Sequence, residues 1–192
     1  MTILCDIAFK YRTDKCPKLG LSYTPFYWEY FKDKRDKVKK VFEFGIGSHE
    51  SMDRVVSNYT VGASLYMWRD FFPNALVYGA DISPKAQIKD KRIKTFVCDE
   101  TDLEKVKKII KKVGFDIDLF VDDAYHQTDV QVNLFKTVFP LLKKGVLYVI
   151  EDVNSVHHMR SALSKIGYSS SVPTLDRTGC KQYKNNLVVI RK

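Results

Sequence analysis

Ile117-Asp118-Leu119-Phe120-Val121-Asp122-Asp123-Ala124-Tyr125-His126 decides how the rest of this chain reads. Leu119-Phe120-Val121 is a short apolar run without helical period, the pattern of a strand buried on both faces of a parallel sheet. It stops abruptly at two acids. In open α/β sheets ligands lie outside the carboxyl ends of the strands, so Asp122, Asp123 and a histidine three residues on stand where chemistry is done. Val146-Leu147-Tyr148-Val149-Ile150 ends the same way, in Glu151-Asp152. If the two strands are neighbours, several carboxylates and one imidazole converge on a small volume, and a divalent cation holds such like charges together. Alone, Asp122-Asp123 would read as a cap for the next helix. The second acidic pair one strand later favours a site, and its closeness favours a chemical role for His126 over a structural one.

Working outward, Val41-Phe42-Glu43-Phe44 is a strand running into Gly45-Ile46-Gly47, where glycines let the backbone turn tightly and approach a ligand. The third glycine of a dinucleotide fingerprint is absent, since Glu50 stands in its place. Residues 48–62 read as an inserted loop, and Ser64 as the cap of a helix bearing Leu65, Trp68, Phe71 and Phe72 on one face. Leu76 to Asp81 is the second strand and Ile93 to Cys98 the third, ending in Asp99-Glu100. Thr101-x-x-Glu104 reads as a capping box opening an amphipathic helix that leads to the strand quoted first. After Glu151-Asp152 come a helix over roughly 156–166 and two strand-like segments, Tyr168 to Val172 and Leu187 to Arg191. The expected fold is α/β, a Rossmann-like doubly wound, mostly parallel seven-stranded sheet with an antiparallel C-terminal edge strand. Residues 1–192 are expected to be one domain, with 1–40 an N-terminal lid or helix and 41–192 the core. Within that lead-in, residues 1–21 read as loop or lid and Phe26, Tyr27, Tyr30 and Phe31 as a core-packing stripe.

Composition narrows the class. The chain has 192 residues, no run of 18 apolar residues and no basic leader with a small-residue cleavage site, so neither a membrane span nor a signal peptide is expected. The expected compartment is the cytoplasm. Cys5, Cys16, Cys98 and Cys180 are far apart and read as free, mostly buried thiols rather than a zinc or redox motif. The net charge of +9 permits attraction to phosphates, but the lysines fall mainly at helical spacing, as in Lys105, Lys108 and Lys112, the pattern of a solvated helix face.

A glycine-rich turn after the first strand and acids at the tips of the next three resemble the class I S-adenosylmethionine-dependent methyltransferases. The finer spelling is similar to the macrocin and mycinamicin sugar O-methyltransferase family, metal-dependent enzymes acting on glycosidically attached deoxysugars. It is carried by Tyr11-Arg12-Thr13-Asp14-Lys15, Ser64-Leu65-Tyr66-Met67-Trp68-Arg69-Asp70-Phe71-Phe72-Pro73, Val121 to His126 and Gly145 to Asp152, in order over roughly residues 11–152. The resemblance implies that Asp123, Glu151 and Asp152 ligate Mg2+ (or Mn2+) and that His126 is the general base beside Asp123. It implies that Glu43, Gly45 and Gly47 line the methionine part of S-adenosyl-L-methionine, that Asp81 holds its ribose and that Asp99 or Glu100 faces the adenine. Ser64, Ile82 and Asp122 are also expected among the cofactor-binding residues. Lys15 and Arg12 are either ordinary loop charges or anchors for the cofactor carboxylate. His157 and His158 read as surface or rim residues.

The chain departs from the family at Gly62-Ala63 for a Gly-Gly, at Ala124-Tyr125 for Gly-Ser, and at Gly145-Val146 for a second Gly-Gly. The acceptor implied is a sugar hydroxyl, such as that of rhamnose, on a glycan or glycoside, and such a compact module could belong to a larger glycan-building polypeptide. Two other readings stand beside this one. An RNA or other nucleic-acid methyltransferase is prompted by the charge but lacks the Asp/Asn-Pro-Pro-aromatic sequence at the fourth strand, and a non-catalytic module would keep the fold as a scaffold.

Overall fold

The computed structural model describes residues 2–177 and 186–192. Cys180 therefore lies outside the described residues, whereas Cys5, Cys16 and Cys98 are free and buried. Six strands form one sheet: β1 (Lys40–Phe44), β2 (Leu76–Asp81), β3 (Ile93–Val97), β4 (Leu119–Asp122), β5 (Leu147–Ile150) and β6 (Val188–Arg191). Their order is β3-β2-β1-β4-β5-β6, parallel throughout except for β6, which runs antiparallel to β5. Strand order reverses between β1 and β4, which opens a crevice at their carboxyl ends.

Alternation along each strand sorts the core into two layers. Val41, Val77, Leu119, Val121, Leu147 and Val149 face α1 (Ile3–Tyr11), α2 (Thr24–Phe31) and α4 (Ala63–Phe71). Phe42, Phe44, Phe120, Tyr148 and Ile150 face α5 (Leu103–Val113), α6 (Thr128–Val138) and α7 (Val156–Lys165). On that second face Phe42 stacks on Phe120 at 5.2 Å and Phe120 on Tyr148 at 4.7 Å, so one aromatic row ties β1, β4 and β5 together. Each such fully buried ring contributes about 1.5–3 kcal/mol of transfer free energy, which fixes the relative heights of the strands whose tips carry the acids.

Several sequence expectations need correction. The sheet has six strands, not seven, among the described residues, because the segment Tyr168 to Val172 pairs only through a single antiparallel bridge, Ser171 to Val189. Ser169-Ser170-Ser171 offers little apolar surface to bury and Pro173 removes a donor, so no ladder propagates. Residues 3–11, read as loop or lid, are helix α1: Leu4, Cys5 and Ala8 bury one face, the Thr2 side chain caps the start, and Arg12 ends it at φ 65°. Part of the stretch read as an inserted loop, residues 48–62, is the short helix α3 (His49–Met52). The cap of α5 is Asp102, whose carboxylate accepts from Lys105 N–H, rather than Thr101. Gly62, in the left-handed region at φ 71°, occupies the cap position of α4 in place of Ser64. Among the described residues no helix is long and apolar enough to cross a membrane.

Candidate active site

Main-chain hydrogen bonds carry the sheet one residue past its strand ends. Gly45 N–H donates to Ala80 O (2.9 Å), Asp123 N–H to Phe44 O (3.0 Å) and Glu151 N–H to Asp122 O (2.9 Å). Gly45, Asp123 and Glu151 therefore stand side by side at the carboxyl edge. A Cβ on Gly45, where φ is +80°, would lie 2.0 Å from Asp123 O, so only glycine lets these two tips come so close. Asp81 Oδ2 then accepts the N–H groups of Ile46 and Gly47, both at 3.0 Å, and curls the turn back over β2.

The turn and the tips enclose a cavity of about 400 Å³. Gly45, Gly47, Ser64, Asp81, Ile82, Asp99 and Glu100 line one side of the cavity wall, and Asp14, Lys15, Asp123, His126 and Asp152 also border it. Ile82 is 67% exposed there, a free apolar surface beside the Asp81 carboxylate. Asp99 Oδ1 accepts from Thr101 N–H and Oγ1, which draws its pKa below the ordinary value. Glu100 and Asp122 are buried, and their carboxyl oxygens find no partner among the protein atoms. Burial pushes Glu100 up to about 7, and burial with the Glu100 charge pushes Asp122 well above the carboxylate range. Glu43 is fully buried behind the cavity, where Trp68 Nε1–H donates to its Oε2 at 2.6 Å.

Asp123, His126 and Asp152 each present one donor atom within 4.8 Å of the others, the group among the described residues that can hold a metal ion. His126 Nε2 lies 3.2 Å from Asp123 Oδ1 and 4.0 Å from Asp152 Oδ2. His126 and Asp152 both hold left-handed backbone, at φ 55° and 49°. Burial lowers the His126 pKa, but the Asp123 hydrogen bond and the Asp123 and Asp152 charges outweigh it and raise the imidazole to about 9. Burial would raise Asp123, yet Lys15 and His126 hold it below its ordinary value. The two carboxylates suit a hard divalent cation, which takes oxygen donors, and the imidazole stands beside the space it would fill.

Glu151 is not part of that group. Its side chain points inward, where the Lys15 ammonium and the Tyr27 hydroxyl both donate to it. Tyr23 donates its hydroxyl to Asp152 and accepts Asp152 N–H at 3.2 Å. The aromatic stripe of α2 reads from sequence as packing alone, which leaves out the polar roles of Tyr27 and its neighbour Tyr23. The available signal was the choice of tyrosine over phenylalanine at positions with no exposure, because a buried phenol needs a partner. Arg12 turns away to Ser57 O (2.9 Å), and His157 and His158 are exposed on α7 and do not border the cavity.

A twisted sheet of this order, with a glycine turn after β1 and acids at the following tips, has the fold of the class I S-adenosylmethionine-dependent methyltransferases. No family model matches the chain. Its curated relatives are sugar O-methyltransferases: it is 34% identical over 153 residues, 79% of its length, to the 8-demethyl-8-alpha-L-rhamnosyl tetracenomycin-C 2'-O-methyltransferase of Streptomyces olivaceus. It is also 34% identical over 152 residues to the mycinamicin VI 2''-O-methyltransferase of Micromonospora griseorubida. The chain spans 38% and 36% of the lengths of these two relatives. Among solved structures it superposes on the MycE methyltransferase of the mycinamycin pathway, in complex with Mg, S-adenosylhomocysteine and mycinamycin VI. That match has a TM-score of 0.75 at 25% identity and covers 99% of this chain and 54% of the other. A structure of cmcI with Mg and S-adenosylmethionine shares the fold, with a TM-score of 0.61 at 20% identity over 89% of this chain and 71% of that one.

Proposed function

We propose that this chain transfers a methyl group from S-adenosyl-L-methionine to a sugar hydroxyl of a glycan or glycoside, a deoxyhexose such as rhamnose, with the help of Mg2+ (or Mn2+). The observation that carries the reading is the convergence of Asp123, His126 and Asp152 on the cavity whose other wall is the Gly45–Gly47 turn and Asp81. The rhamnosyl and mycinamicin acceptors in the relatives' names support the sugar class. The compartment we propose is the cytoplasm, in keeping with three buried thiols left unpaired. There the chain would act alone or within a larger glycan-building polypeptide.

Asp123 and Asp152 would hold the cation through their cavity-facing oxygens, with Glu151 directly behind them. When bound, the dication supplies the charge that lowers the pKa of a sugar hydroxyl and offsets the carboxylates that keep His126 protonated. Once neutral, an imidazole whose Nε2–H donates to Asp123 Oδ1 would leave Nδ1 free to take the acceptor's proton. Gly45 and Gly47 would bring bare backbone against the methionine portion of the cofactor, Asp81 would hold its ribose, and Asp99 or Glu100 would face the adenine, with Ile82 also lining the cavity. When bound, the cofactor would supply a methyl group on a sulfonium, and the cavity walls would hold the acceptor oxygen facing it.

The test is incubation with labelled cofactor and methyl α-rhamnopyranoside or a rhamnosylated glycan, before and after chelation and Mg2+ readdition. Transfer should need the dication, and His126→Ala should lower turnover by about 10²–10⁴-fold without loss of cofactor binding. Undiminished transfer after rigorous metal removal would overturn the metal step.

A further inference from the structure

Lys15 is 1% exposed, although lysine is among the side chains least often buried without a partner. It sits in the loop between α1 and α2, and its backbone is clamped there. Its carbonyl accepts the N–H groups of Tyr23 (3.1 Å) and Thr24 (3.0 Å), while Asp14 O accepts Leu21 N–H (2.7 Å). The side chain runs to the acid cluster from the face opposite the aromatic row. Its ammonium donates to Asp123 Oδ2 (2.6 Å) and to Glu151 Oε2, and lies 3.1 Å from Glu43 Oε1. Four carboxylates, those of Glu43, Asp123, Glu151 and Asp152, thus crowd one volume. Like charges in so dry a place would drive the strand tips apart without a cation among them.

The two oxygens of Asp123 are divided between two tasks. Oδ2 is taken by Lys15 and Oδ1 is turned toward His126 Nε2. Glu151 is likewise committed, one oxygen to Lys15 and the other to Tyr27. We propose that Lys15 is the resident cation of this cluster and a positioning residue for Asp123: it holds Glu43 and Glu151 inward and leaves Asp123 Oδ1 and Asp152 as the donors that meet a divalent ion, beside His126. The inference deepens the functional reading above, but its binding and melting measurements stand whether or not a sugar is methylated. It differs from both roles considered for Lys15 from sequence, because an ammonium committed to three carboxylates is neither a solvated loop charge nor a free anchor for the carboxylate of a cofactor.

The experiment compares the full chain with Lys15→Met, a neutral side chain of similar length, by thermal melts in EDTA and in Mn2+, by Mn2+ titration followed by electron paramagnetic resonance, and by calorimetry with S-adenosylhomocysteine. In EDTA the variant should melt roughly 10 °C below the parent chain, because removing one partner strands buried charge. Mn2+ should recover most of that loss and raise the parent far less, since the dication then takes over the missing charge. Glu151→Gln in the parent background should weaken Mn2+ binding by no more than about tenfold, whereas Asp123→Asn and Asp152→Asn should exceed that. Should Lys15→Met not accumulate, Lys15→Met with Glu43→Gln, which removes one charge of each sign, gives the same comparison. Equal melting of variant and parent in EDTA, with no added Mn2+ dependence, would overturn the proposal. So would an unchanged melt joined to a weakened affinity for S-adenosylhomocysteine, which would assign the ammonium to the cofactor instead.

Discussion

Two ionic networks hang on the same short stretch, Tyr11 to Lys15, and they differ in almost nothing but water. At Lys15 one ammonium meets the buried carboxylates of Glu43 and Glu151 and the half-buried one of Asp123, closed by phenol and indole donors from Tyr27 and Trp68. Four residues earlier, Tyr11 donates to Asp70 Oδ2 at 2.5 Å beside Arg69, which reaches Asp70 Oδ1 at 2.8 Å and Asp90 Oδ2 at 2.6 Å. Lys10, 64% exposed at its side chain, completes that second set. Arg69, Asp70 and Asp90 keep 19–27% side-chain exposure, so screening reduces what the open network contributes, whereas in the closed one every member depends on every other. The difference teaches that the motif contributes an adaptable surface clasp at its first residue and the electrostatic centre of the site at its last.

The comparison can be broken most drastically at the frame on which the closed network rests. Gly45→Ala places a methyl 2.0 Å from Asp123 O at a backbone φ of +80°, so loss of folded, soluble protein is expected. Gly145→Ala, at φ +85° with nothing within 4 Å, should cost only about 1–2 kcal/mol in denaturant melts and serves as the control. Tyr27→Phe and Tyr11→Phe then make the same chemical change in the two settings. The first leaves a buried Glu151 oxygen without its donor and should cost about 1.5–3 kcal/mol by urea denaturation. Equal costs for the two would contradict the contrast drawn here.

Acid provides the next test. Burial nudges Asp70 upward, but Tyr11, Arg69 and Lys10 hold it below its ordinary value of 3.8, and Arg92 and Arg69 do the same for Asp90. Their unfolded forms therefore bind protons first as pH falls. The stability they contribute is fully present above the unfolded value and is lost as pH drops through the lower folded values. Melts of the parent and of Asp70→Asn should differ at pH 6 and converge as the pH falls below the ordinary aspartate value. Smallest of all, Tyr11→Phe should change stability by less than about 1 kcal/mol, because water replaces the lost donor.

Much of the frame is legible in the sequence because it is written in short-range patterns. Leu76 to Asp81 and Leu119 to Asp122 announce themselves as apolar runs ended by acids, and the parallel order follows from alternating strands and helices. Asp81, Asp123, His126 and Asp152 reach the cavity edge because a residue at a parallel strand's carboxyl end has few other places to go. What sequence hides is which way a side chain turns once there. Glu151 and Asp152 are adjacent, yet the first turns inward to Lys15 and Tyr27 and the second outward to the cavity. That division is made by partners more than a hundred positions away, which no local pattern records. Helix α1 was missed for a related reason, since Leu4, Cys5 and Ala8 are a thin apolar stripe whose burial depends on α4.

His126 and Asp152 sit at left-handed backbone angles without being glycine, a conformation that costs each of them about 1 kcal/mol or more. Glycine at either turn would relieve that cost while deleting an imidazole or a carboxylate. A laboratory selection that rewarded heat resistance alone would therefore drift toward glycine at both turns and lose the two groups that face the cavity. The two loops are wound against their own preference, and what that strain holds at the cavity edge is one imidazole and one carboxylate.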